Sequence, residues 1–115
     1  MEKEQNLRER RSGKRSDSMI FYVAHKYQGD PENLERARRI THDLQVTDRE
    51  NAYLCPLLAM SHMEYGEIGW EAEMEICKDF LSVADCLIVA SSVSFGVQIE
   101  IDFANMVGME VIYLE

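Results

Sequence analysis

The chain has 115 residues, with 21 Asp/Glu against 12 Lys/Arg for a formal net charge of −9, and 46% of its residues are apolar; this suits one domain with a single core and is too short for two. Six of the Lys/Arg and four of the Asp/Glu fall within residues 1–18, so residues 19–115 keep six against seventeen, which argues against a nucleic-acid polymer as partner of the folded part. No apolar run approaches the length needed to cross a bilayer, so no membrane association is expected.

Residues 1–18 (MEKEQNLRERRSGKRSDS) mix both charges, lack aromatics and contain no apolar h-region, and are expected to form a disordered tail ahead of a domain at 19–115. MIFYVA (19–24) predicts a short strand. HKYQGDP (25–31) is a loop in which Asp30 is placed as an N-cap and Pro31 at the first helical position. The helix that follows, 32–45, carries Leu34, Ala37, Thr41 and Leu44 at helical spacing. AYLC (52–55) predicts a second strand, ended by Pro56, and PLLAMSHMEYGEIG is less regular. WEAEMEICKDFLSVA (70–84) predicts a helix with Trp70, Met74, Cys77, Leu81 and Ala84 on one side, and DCLIVA (85–90) a third strand. A Ser/Gly loop then opens the helix of SVSFGVQIEIDFA (92–104), and EVIYLE (110–115) closes the pattern as a strand. Alternation of nearly all-apolar strands with helices predicts an α/β fold: a three-layer, flavodoxin- or Rossmann-like parallel sheet of four to five strands with helices on both faces.

Cys55, Cys77 and Cys86 are odd in number and show no CxxC spacing, so they read as free buried thiols of a reducing cytoplasm. With only three His and no ligand spacing, neither a metal nor another cofactor is expected.

The helix after the third strand carries the main anomaly. On a helical wheel Phe103, Val107, Ala104, Val97 and Ile101 form one apolar arc, and Glu100 falls inside it, whereas Asp102 lies on the far side. A carboxylate there is either bonded within the core or faces a cleft. In parallel sheets the crevice lies at the carboxyl ends of the strands, near the switch in strand order. The loops in that position are HKYQGDP and SSVSFG, with His25, Lys26 and Gly29 in the first and Ser91, Ser92, Ser94 and Gly96 in the second. Free amides at the helix start near Ser94 favour a phosphate or carboxylate, although a Ser/Gly loop can equally be a simple cap. Neither GxxxxGK[ST] nor GxGxxG occurs. His62 reads as a surface residue, and Glu64, Glu67, Glu71, Glu73 and Glu75 as a solvated helix face. Met63, Tyr65, Ile68 and Trp70 are either an interface or buried within the subunit.

YVAHKYQGDPENLERA, LSVADCLIVA and SFGVQIEIDFA with its closing strand resemble the nucleoside 2-deoxyribosyltransferase superfamily, which includes the 2'-deoxynucleoside 5'-phosphate N-hydrolases. The likeness spans about residues 19–115, and its most specific part is S-x-G-V-x-x-E-x-x-x-A, met by Ser94, Gly96, Val97, Glu100 and Ala104. The resemblance implies cleavage or transfer of the N-glycosidic bond of a nucleoside or its 5'-monophosphate by a cytoplasmic homo-oligomer. It implies Glu100 as nucleophile, Tyr22 as its positioning partner, Ser94 as a phosphate contact and Asp85 as a strand-opening residue beside the cleft. Where the family places an acid, eight residues before Asp85, this chain has Cys77; Glu73, one turn earlier, is the candidate replacement, and Asp79 is turned about 200° away. His25 and Lys26 stand where relatives place small residues. The helix start is expected to keep Glu100 ionised. The alternatives are a nucleotide-binding module that has lost the reaction, which Cys77 favours, and an unrelated flavodoxin-like interaction domain, which leaves Glu100 unexplained.

Overall fold

A computed structural model describes residues 18–114, so all but the last residue of the predicted tail lies outside the described residues. The apolar runs become four short strands, β1 (Ile20–Ala24), β2 (Ala52–Leu54), β3 (Cys86–Val89) and β4 (Glu110–Tyr113). They pair in the order β2-β1-β3-β4, all parallel, with Tyr22 opposite both Leu54 and Leu87, and Ala24 opposite Val89. The chain moves outward from β1 to β2, then crosses back to β3, so the strand order switches between β1 and β3.

The helices are α1 (Pro31–Thr47), α2 (Pro56–Ala59), α3 (Trp70–Ser82) and α4 (Phe95–Met106). Asp30 caps α1 as its side chain accepts from the Glu32 amide at 2.9 Å, with Pro31 at the first position. The period-two alternation of the strands sorts the core into two layers. Tyr22, Ala24, Leu87 and Val89 pack with Cys77 and Leu81 of α3 and Val97, Ile101 and Ala104 of α4. Val23, from the opposite face of β1, packs with Ala37 of α1 and Cys55. The result is the three-layer, flavodoxin-like α/β architecture with helices on both faces of a four-stranded sheet.

The departures from expectation are local. The stretch after Pro56 begins with the short helix α2, because proline pre-sets the first helical turn. α1 runs two residues further than predicted, to Thr47, and α3 ends two earlier, at Ser82. Val107 belongs to the exposed C-cap of α4 and not to its packed arc, since the helix ends one residue before it. All three cysteines are buried and free. Among the described residues no helix is long and apolar enough to cross a membrane.

Candidate active site

β1 and β3 end side by side, and the loops that leave them are sewn together. The Ala90 amide donates to the Ala24 carbonyl at 2.8 Å, and the Lys26 amide donates to Ser91 Oγ at 2.9 Å. Ser91 in turn donates to the Ser92 carbonyl at 2.9 Å. Ser94 then caps α4 by accepting from the Val97 amide at 3.3 Å. Between these loops and the start of α3 opens a cleft of about 280 Å3. His25, Lys26, Ser94 and Gly96 line its loop side, Glu73 and Cys77 its α3 side, and Glu100 its floor.

Glu100 is 5% exposed, and among the described residues its side chain is hydrogen-bonded by Tyr22 of β1, whose hydroxyl donates to Oε2. Burial raises the Glu100 carboxyl from 4.5 to about 7, and the Tyr22 hydrogen bond offsets this only in part. The expectation that the helix start keeps Glu100 ionised is therefore corrected: Glu100 is the sixth residue of α4, beyond the first turn in which the dipole acts, and desolvation dominates. Burial, then the charge of Glu100, hold the Tyr22 hydroxyl well above its usual range. The same two causes push the neighbouring Cys77 thiol up to about 12, so this thiol is no source of protons near neutrality. Burial also lowers the pKa of His25, favouring a neutral ring. Its Nδ1 lies 2.7 Å from the Lys26 carbonyl and so carries the proton, leaving Nε2 as the acceptor nitrogen.

The fold thus brings Glu100, Glu73, His25, Lys26, Ser94 and Gly96 to one cleft, with Tyr22 behind Glu100. Three residues predicted for substrate binding lie outside it. Asp85 sits at the amino end of β3, the opposite end of the sheet, where its side chain accepts from the Ile20 amide at 2.7 Å; that is a structural clamp. Ser92 is exposed, with its carbonyl held by Ser91. Gly29 acts through packing: its φ is +74°, and an added Cβ would stand 3.1 Å from the Tyr65 ring. His62 and Asp79 are exposed, as are the acidic residues around Glu73.

Sequence reasoning missed an aromatic rim. Trp70 stacks on Phe95 with ring centroids 5.6 Å apart, and Tyr27 meets Tyr65 edge-on at 5.2 Å. All four rings line the cleft. Phe95 is 74% exposed, Tyr65 57% and Trp70 45%, although Trp70 follows the apolar side of α3 on a helical wheel. The available signal was adjacency, since Tyr27 follows Lys26 and Phe95 precedes Gly96 in the two carboxyl-end loops. Among the described residues no three His, Cys, Asp or Glu side chains converge as metal ligands. Comparison of the chain with family models, curated proteins and solved structures finds no match.

Proposed function

We propose that this cleft cleaves or transfers the N-glycosidic bond of a nucleoside or nucleoside 5'-monophosphate, with Glu100 as nucleophile. The observation that carries the reading is the buried Glu100 carboxylate on the floor of an open cleft, bonded to Tyr22 and surrounded by otherwise apolar core. A carboxylate kept there at the expense of desolvation has use where positive charge develops, and the anomeric carbon of a departing nucleoside is such a centre. In the reaction an oxygen of Glu100 bonds to the anomeric carbon as the base leaves. Water, or a second base, then releases the sugar from the glycosyl ester. Tyr22 is a positioning residue, since its hydroxyl fixes the carboxylate without reaching the cleft lining. Ser94, the first amides of α4 and the Lys26 ammonium suit a 5'-phosphate.

The test is chromatographic: incubate the protein with ribo- and deoxyribonucleosides and their 5'-monophosphates, with and without an acceptor base, and look for released or exchanged base. Release that disappears in Glu100→Ala supports the proposal. A second reading, a nucleotide-binding module without turnover, is favoured by the inert Cys77 thiol beside the nucleophile. Thermal stabilisation by a nucleotide in the absence of base release would select it.

A further inference from the structure

We infer that the substrate is an N-glycoside whose base carries a fixed positive charge, of the quaternised pyridinium or N7-alkylated purine kind. The inference rests on the glycosidase reading and narrows its substrate class.

Two independent features lead to it. The first is the lining. Trp70, Phe95, Tyr27 and Tyr65 ring the cleft together with the carboxylates of Glu73 and Glu100, while among the described residues Lys26 is the single Lys or Arg on its walls. Aromatic faces and carboxylates both attract a delocalised cation, whereas a neutral base gains only the stacking. The cleft also belongs to the strongly acidic part of the chain.

The second feature is where the described polar groups closest to Glu100 direct their protons. A neutral base departs as an anion unless a proton reaches its ring nitrogen in the transition state. The Tyr22 hydroxyl is committed to Glu100. Burial keeps the proton on Cys77, and the His25 proton is directed at the Lys26 carbonyl. Glu73 Oε2 is engaged by the Gly66 amide at 3.3 Å. A cationic base needs no donor. As an oxygen of Glu100 bonds to the anomeric carbon, the pair of the breaking C–N bond returns to the ring nitrogen and cancels its charge, so the base leaves neutral. Water then adds to the anomeric carbon, its proton passes to solvent, and the Glu100 carboxylate is restored. A bound cation also favours the ionised form of Glu100.

The experiment measures base release from 7-methylguanosine, nicotinamide riboside and guanosine, in ribo and 2'-deoxyribo forms, with and without a 5'-phosphate. Each rate is divided by that compound's uncatalysed hydrolysis, and Glu100→Ala serves as the control. The expected result is an acceleration about 100-fold larger for the cationic compounds than for guanosine, the usual contribution of the missing general acid. Phe95→Ala should raise KM for 7-methylguanosine more than for guanosine. Equal or greater acceleration of guanosine overturns the inference and leaves the glycosidase reading standing. Release of base from none of the compounds overturns the glycosidase reading and the inference with it.

Discussion

Two carboxylate–tyrosine pairs lie at opposite ends of the sheet and titrate in opposite directions. At the amino end of β2, Tyr53 donates to Asp48 Oδ2 at 2.7 Å, and that bond, helped by one from the Asn51 amide group at 2.8 Å, lowers the Asp48 pKa. Near the carboxyl ends, Tyr22 donates to Glu100, yet the Glu100 pKa rises to about 7. The bonding group is the same, so the difference is solvent: Asp48 is half-exposed with several donors, and Glu100 is buried with one phenol. A hydrogen bond stabilises an ionised carboxylate only as far as desolvation allows. One pair ties the fold together, and the other keeps a carboxyl group in the core at a cost in stability.

Substitutions can break this contrast one arm at a time. Glu100→Gln should reduce base release by about 1,000-fold or more, the scale for loss of a nucleophile. The same change should stabilise the fold at alkaline pH. Because the folded pKa of Glu100, about 7, exceeds its ordinary 4.5, the native state binds more protons between those values, and stability falls as pH rises through that window. The loss approaches about 3 kcal/mol above neutrality and should vanish in the variant, as urea unfolding at several pH values would reveal. Base release by the wild type should rise with pH through about 7, as Glu100 ionises.

Tyr22→Phe removes the bond that lowers the Glu100 pKa, so the midpoint of the rate–pH profile should move upward. We expect about a tenfold lower kcat near neutrality, where the shift leaves less carboxylate ionised, and about 1–3 kcal/mol less stability by urea unfolding at alkaline pH. A shift of the midpoint downward would break the assignment of Tyr22 as stabiliser of the anion.

Asp85→Ala tests the structural end of the sheet. It leaves the Ile20 amide without its side-chain acceptor and should cost about 1–3 kcal/mol in denaturant unfolding, with KM unchanged. Tyr53→Phe should have the smallest effect. The lowered Asp48 pKa contributes stability that is present above 3.8 and is lost as pH falls through the folded value, so the variant should show a shallower loss on the acid side and unaltered base release.

Most of the architecture was legible because it is written in short-range periodicity. The all-apolar strands, the Asp30–Pro31 helix start and the displaced Glu100 on its wheel need no more than about four residues of context each. The short helix α2 escaped because four residues carry no period. Val107 was misplaced because wheel geometry does not announce where a helix ends.

By itself, then, the sequence determined the alternation of strands and helices, the parallel sheet and a carboxylate on the packed side of the last helix. Only tertiary structure decided what surrounds that carboxylate. Tyr22 and Glu100 are 78 residues apart and meet because β1 lies beside β3 while α4 packs over both. The same strand order sends Asp85 to the far end of the sheet and gathers Tyr27, Tyr65, Trp70 and Phe95 around one cleft. Local propensity acts within a turn or a strand. The burial that sets the Glu100 pKa is a property of how distant elements close around it.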